Sequence, residues 1–278
     1  EEGLQRIKVM YQKAGFLLFR YTVSDEKIVS FGENNRSANI FIRAQEGPRI
    51  KGSDVQIRGL GKTREYVARR EVEISADEWW LGEKVEATET NLKKLGLFSE
   101  VKIYPEPSVR GAEYRSLVID LRELDPGALE AGPGFRSDLG VRTYAKLSYN
   151  NIAGRNWIGV LSAEANRRVN EDYRFLEYGL DTSFFEPRFF GTRNMYLVGL
   201  STRKQQFPPN FNAVTTTLTT GFERKMLPEA LGIKPLVIAK MLYRVERIRQ
   251  FDVIVDGQQY PEDNRTLLIG SLIPSLSL

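Results

Sequence analysis

The chain has 278 residues, enough for two or three units with cores of their own. With 41% hydrophobic and 27% charged residues it contains no run of about 18 apolar residues, which excludes a helical membrane span but not a membrane β-barrel, whose strands alternate apolar with polar side chains. Cysteine and histidine are absent, which removes thiolate and imidazole nucleophiles, disulfides and nearly every zinc site, and the net charge of +4 is spread along the chain instead of gathered as on a nucleic-acid surface.

No signal peptide is visible at Glu1, which falls inside a helical pattern. The expectation is therefore a processed or trimmed piece whose localisation follows from its fold. Leu4, Ile7, Val9, Met10 and Tyr11 recur at near-helical spacing and stop at Gly15, a C-terminal cap. Residues 16–23 read as a strand, 24–27 as a turn, and 38–44 as a second strand ended by Glu46-Gly47-Pro48. A fuller version of this plan follows. It has a strand at 54–60, a helix at 63–74 with Thr63 as N-cap, a helix at 83–95 carrying Val85, Leu92 and Leu95, and strands at 100–104 and 114–124. Ala14-Gly15-Phe16 corresponds to Leu95-Gly96-Leu97-Phe98, so a truncated repeat precedes one complete β-α-α-β-β repeat.

From Ala128 the helix signals stop. Leu139, Val141, Thr143, Ala145, Leu147 and Tyr149 fall on one face of a strand, and Arg142, Tyr144, Lys146, Ser148 and Asn150 on the other. A turn at 150–156 leads to a strand setting Leu161, Ala163 and Ala165 against Ser162, Glu164 and Asn166. The next sets Leu176, Tyr178, Leu180, Thr182 and Phe184 against Glu177, Asp181 and Ser183. Similar strands follow near 193–205, 212–225, 236–250 and 264–278, and a short first one lies at 130–136, making about eight. A soluble β-sandwich alternates in the same way. Strand length favours the membrane barrel, since soluble strands run to roughly five or six residues and membrane strands to about ten. So do the aromatics near strand ends, Tyr149, Trp157, Phe184, Phe185, Phe189 and Phe190, which suit interfacial girdles.

Val55-Gln56-Ile57-Arg58-Gly59-Leu60, then Thr63, then Asn91-Leu92-Lys93-Lys94-Leu95-Gly96-Leu97-Phe98-Ser99-Glu100-Val101, resembles a POTRA domain, as does Glu46-Gly47-Pro48 between the repeats. Gly132-Pro133-Gly134-Phe135 and Asn151-Ile152-Ala153-Gly154-Arg155-Asn156 resemble the start and first hairpin turn of the barrel in outer-membrane proteins of the BamA and TamA type. Glu186-Pro187-Arg188-Phe189-Phe190-Gly191-Thr192 is similar to the second turn. The resemblance implies α+β POTRA domains of β-α-α-β-β plan followed by an antiparallel transmembrane β-barrel, incomplete in this chain. Residues 1–48 would be the C-terminal part of one POTRA domain, 49–125 a complete one, and 126–278 the N-terminal half of a barrel of about sixteen strands. Leu278 falls inside an apparent strand, without the terminal aromatic that closes many such barrels, and the family's lumenal loop motif would lie beyond it.

The family likeness implies work without covalent chemistry or a cofactor, so the chain is not expected to be an enzyme. It implies insertion of β-barrel proteins into the bacterial outer membrane, or translocation across it, with the POTRA domains in the periplasm. The implied partners are unfolded outer-membrane or secreted client proteins, accessory periplasmic or lipoprotein subunits and outer-membrane lipid, with no nucleic acid. POTRA edges would take up client segments by β-augmentation, because unpaired backbone groups accept almost any extended sequence. The first barrel strand, Glu130, Ala131, Gly132, Pro133, Gly134, Phe135 and Arg136, would be the moving part of a lateral gate. Pro133 removes a ladder donor and the glycines lower strand stability, although a flexible linker between domains would read the same way. An alternative within the family is a two-partner secretion pore exporting one dedicated passenger. Outside that reading stand a phospholipase-bearing relative, whose extra domain is not seen here, and a soluble β-rich binding module.

Three further features invite chemistry. Gly59-Leu60-Gly61-Lys62-Thr63 resembles a phosphate-binding loop, but the position that motif reserves for its first glycine holds Gln56, so a turn with a helix cap is expected. Trp79 and Trp80 are candidate partner or membrane-surface contacts, with core packing between the helices as the plainer reading. Arg64, Arg69 and Arg70 could meet anionic headgroups or form a solvated helix face.

Overall fold

The computed structural model describes residues 2–16, 18–22, 29–31, 38–40, 43–111, 113–136, 140–167, 176–207, 211–226, 237–255 and 258–277. They divide into two compact units, Glu1–Leu124 and Asp125–Leu278.

The first unit opens with helix α1 (Glu2–Lys13), which ends as its sequence indicates. Gly15 sits at φ +95°, its amide donates to the Gln12 carbonyl at 3.1 Å, and the Phe16 amide donates to the Tyr11 carbonyl at 3.0 Å. This is a Schellman ending, with the Phe16 ring against Tyr11 as its hydrophobic contact. The strand expected over 16–23 is shorter than its pattern. Phe16 is spent on closing the helix and Phe19 turns back to stack on Tyr11 at 4.3 Å, so β1 is only Arg20–Thr22. Short strands β2 (Val29–Phe31), β3 (Ala38–Ile40) and β4 (Arg43–Gln45) follow; β1 pairs with β4 and β2 with β3. The turn expected at 24–27 lies outside the described residues.

The second repeat consists of β5 (Lys51–Arg58), α2 (Glu65–Arg69), α3 (Gly82–Lys94), β6 (Phe98–Pro107) and β7 (Tyr114–Glu123). Its three strands are ordered β5-β7-β6, with β5 parallel and β6 antiparallel to β7. Val67, Leu92, Leu117 and Ile119 from the two helices and the central strand are fully buried with Ile50 in one core. Gly96 caps α3 at φ +67°, as Gly15 caps α1.

Helix α2 departs from expectation: five residues in place of a helix over 63–74, with Arg64 and not Thr63 at the cap position. Thr63 is buried and its amide is taken by the Glu123 carboxylate, while the Glu73 amide is taken by the buried Thr88 hydroxyl of α3 at 3.0 Å. Both ends of the expected helix are thus pulled away by tertiary hydrogen bonds.

The second unit is one antiparallel sheet of eight strands, each pairing with its neighbour in sequence apart from one small hairpin. They are β8 (Gly127–Arg136), β9 (Gly140–Ile152), β10 (Trp157–Arg167), β11 (Leu176–Glu186), β12 (Asn194–Phe207), β13 (Phe211–Met226) and β14 (Val237–Phe251). The hairpin of β15 (Ile254–Val255) and β16 (Gln258–Gln259) precedes the last strand, β17 (Thr266–Ser277). The long strands run from 10 to 16 residues, well beyond the roughly five or six of soluble sheets. No described helix is long and apolar enough to cross a membrane.

Candidate functional site

Directly paired residues of an antiparallel sheet point to the same face, so the register sorts the side chains. Leu129, Leu147, Leu161, Thr182, Leu200, Leu218 and Val245 form one unbroken cross-strand row from β8 to β14. The five leucines of this row are 44–73% exposed, a large apolar face turned away from any protein core. The opposite face carries the row Glu130, Lys146, Ser162, Asp181, Ser201, Thr217 and Glu246. Next to it Arg142 pairs with Glu164 at 2.5 Å, and Arg203 reaches Asp181 at 3.0 Å and Glu164 at 3.8 Å. Charged and apolar sets lie on opposite faces, as the alternation implies.

The aromatics gather at the end of the sheet where the chain enters β8. Tyr149, Phe184 and Tyr243 lie on the apolar face in the row that starts at Gly127. Trp157 meets Phe184 edge-on at 5.5 Å, and Phe189 packs on Tyr196 and Phe222. The turn between β9 and β10 needs left-handed backbone at Asn151, Ala153, Gly154 and Asn156. Asparagine tolerates that conformation better than most residues. The Asn151 side chain also accepts the Asn156 amide at 2.9 Å, and both asparagines are buried.

Strand β8 contains Glu130, Ala131, Gly132, Pro133, Gly134, Phe135 and Arg136, and begins three residues earlier than the sequence pattern indicates. It is a strand and not a linker: all ten residues pair with β9 in unbroken register. Its other edge has no partner strand among the described residues.

In the first unit the two sheet edges differ. The outer edge of β5 is partly taken: Gly52 donates to the Glu78 carbonyl and accepts from Asp77, and Lys51 bridges Trp79. Strand β6 has no strand on its outer side among the described residues, and its Pro105 and Pro107 confine any pairing to the Phe98–Tyr104 portion.

The two tryptophans separate. Trp80 is 1% exposed, part of the core and packed against Gly52, so the surface-contact reading fails for it: the apolar ring fills the space beside β5. Trp79 is 37% exposed, with Arg49 at 4.9 Å and Lys51 at 4.7 Å from its ring. Of the three arginines, Arg69 pairs with Glu65 along the helix and Arg70 with Glu71.

The phosphate-loop look-alike does hold an anion, supplied by the chain itself. The amides of Lys62 and Thr63 donate to the two oxygens of Glu123 at 2.8 and 2.7 Å. Burial alone would raise the Glu123 pKa; the Thr63 hydroxyl and the amides of Lys62, Thr63 and Gly61 outweigh it and hold the carboxyl below its ordinary range. The sequence signal for this contact was the glycine-rich loop; its partner, some 60 residues away, carried none.

No family model matches the chain. Over 132 residues, 48% of this chain and 17% of its relative, it is 24% identical to the outer membrane protein assembly factor BamA of Neisseria meningitidis serogroup B. The crystal structure of BamA from Haemophilus ducreyi lacking POTRA domains 1–3 matches 99% of this chain and 52% of that one, with TM-score 0.71 at 14% identity. CdiB from Acinetobacter baumannii matches 98% and 50%, with TM-score 0.50 at 13% identity. The chain thus spans about half the length of these solved chains. The chain is thus similar in sequence to BamA over about half of its length, and nearly the whole chain shares the fold of solved BamA and CdiB chains.

Proposed function

We propose that the protein inserts β-barrel clients into the bacterial outer membrane, receiving them on a POTRA edge and passing them through a lateral gate at β8. On this reading residues 1–48 are the C-terminal part of one POTRA domain, 49–125 a complete one, and 126–278 the first half of a barrel. The observation that supports the reading is β8 itself, paired with β9 in unbroken register along all ten residues and without a strand on its other side among the described residues. In the closed barrel the strand that finishes the cylinder meets this open edge. Pro133 offers no N–H there and the flanking glycines add backbone entropy, both of which weaken that seam.

The outer edge of β6 is the client-receiving edge, because residues 77–80 already engage that of β5. Trp79 serves as a contact for an accessory periplasmic subunit. It lies beside Lys51, which pairs with Tyr114 at the start of β7, roughly 30 Å along that strand from Glu123, where the chain leaves for the barrel.

The test is a disulfide between a cysteine in β8 and one in the strand that closes the full-length barrel, the 278 residues here containing no cysteine of their own. The oxidised protein, reconstituted in vesicles, should stay folded and stop inserting a urea-unfolded small outer-membrane barrel. Undiminished insertion would remove the gate role. Secretion of one passenger without insertion of that barrel would move the assignment to an export pore.

A further inference from the structure

We infer that the apolar face of β12–β14 carries a phosphate-binding site, built by Lys204, Arg247 and Arg249 around the Thr202 and Thr216 hydroxyls, which takes a phosphorylated glycolipid of the outer leaflet. The inference goes beyond the proposed function. It rests on the reading of these strands as an outer-membrane barrel and not on the gate.

The register brings the site together from three strands. Thr202, Thr216 and Arg247 are directly paired in one row, and Lys204, Val214 and Arg249 in the next. Both rows lie on the face of Leu200, Leu218 and Val245. Neighbouring strands stand about 4.8 Å apart, which puts the backbones of Lys204 and Arg249 roughly 10 Å from each other. Three long cationic side chains at that spacing can close on two phosphates of one headgroup, a wider target than a single phosphodiester. The Thr202 and Thr216 hydroxyl oxygens lie 3.5 Å apart inside this frame and supply neutral donors.

Their face sets these cations apart. On the charged face Arg142, Arg203 and Lys240 each meet a carboxylate of a neighbouring strand. Arg247 and Arg249 are exposed and meet no carboxylate among the described residues. Asp252, just beyond them, accepts from the Asn212 side chain at 3.0 Å, and the Lys204 ammonium lies 5.7 Å from the Phe251 ring. In the other direction the face is uncharged through Leu200, Leu218 and Val245 to the row of Tyr243 and Phe184. Tyr243 belongs to the aromatic end where the chain enters β8, and Arg249 lies six residues away, roughly 20 Å along the strand. The cations therefore stand at the far rim of an apolar band, which on the barrel reading is the outer leaflet. Cations at a lipid surface are stabilised by anionic headgroups. Exposed Leu180 and Leu268 flank the Arg247 row and offer apolar surface to the acyl chains.

The experiment uses the full-length protein in detergent micelles and follows its binding of diphosphoryl lipid A by native mass spectrometry. Lys204→Gln with Arg247→Gln and Arg249→Gln should weaken binding at least about tenfold. Arg224→Gln, an exposed cation at the opposite end of the same strands, should leave it within about twofold. Lipid A stripped of its phosphates should not compete. Unchanged binding by the triple variant, with a heat-modifiable folded band on a gel, removes the site. Should that variant not fold, Arg249→Gln alone decides, with a loss of about threefold expected and none overturning the site. Displacement of lipid A by inorganic phosphate at equal concentration would mean a free-anion site, and equal displacement by phosphatidylglycerol a general anionic surface; either overturns the glycolipid assignment. If the intact protein stays folded and dispersed without detergent, the barrel reading falls and takes this inference with it. Undiminished client insertion by the disulfide-locked protein would remove the gate and leave this site standing.

Discussion

Glu123 shows how one side chain can hold a loop that its neighbours in sequence do not explain. A carboxylate accepting several amides is stabilised in its charged form, so its pKa is depressed in the folded state and ordinary in the unfolded one. Its contribution to stability is therefore full above the unfolded pKa and is lost as pH falls through the folded pKa. Asp54, held down by the Ser116 and Ser53 hydroxyls and by Gln56, adds in the same direction. The first unit should lose stability progressively below about pH 4, with urea midpoints falling as the carboxylates protonate. Glu123→Gln should cost about 1–3 kcal/mol at neutral pH and flatten that acid limb; an acid limb unchanged in the variant would count against the clasp. Gly59, beside the same loop, has φ +83°, and a Cβ there would meet the Leu121 carbonyl oxygen at 1.9 Å. Gly59→Ala should destabilise the unit by at least about 2 kcal/mol, read as a lowered melting temperature.

For strands the informative unit is the face. Leu161 lies midway along β10 between Leu147 and Thr182, in the apolar row. On the proposed function this row faces lipid, which cannot hydrate a guanidinium, whereas the opposite face already carries Arg142, Glu164, Asp181 and Arg203 in contact with one another. Leu161→Arg should cost about 2–4 kcal/mol in folding experiments in lipid vesicles. Thr217→Arg, on the charged face opposite Glu246, should stay within about 1 kcal/mol of the parent. Equal penalties at the two positions would mean that the apolar row does not face lipid.

At the scale of the molecule, the proposed function puts the two units in different solvents. The buried core of the first comes from residues between Ile50 and Leu121, with Leu18 of the preceding repeat packed against it. The second has few fully buried apolar side chains among its described residues and displays its leucines. A fragment of residues 49–125 should therefore unfold cooperatively in urea without detergent. A gradual, non-cooperative loss of circular dichroism would show that this repeat needs its neighbours. Gly82 is where the preceding helix approaches, since a Cβ there would lie 2.9 Å from the Gln12 carbonyl, so removing residues 1–48 should cost stability without abolishing the transition.

The sequence alone determined whatever depends on local periodicity and backbone conformation. Gly15 and Gly96 end their helices in left-handed backbone because only glycine adopts it without penalty, and that is written in the chain at each spot. Alternation of side chains likewise marked the long strands and sorted Lys146 from Leu147, because a strand has no other way to present residues to two environments. Where distant segments compete for the same backbone groups, only the tertiary structure decided. The helix expected over 63–74 shrank to five residues because Glu123 and Thr88 capture the amides at its two ends, and neither is near in sequence. Trp79 and Trp80 are adjacent and chemically identical, yet one is exposed and the other buried, because Trp80 donates its backbone amide to Ile50 and fills the space beside Gly52. The pairing of Gly132 with Tyr144 belongs to the same class: glycine shows in a sequence as a missing side chain, and only the register reveals which residue lies across from it.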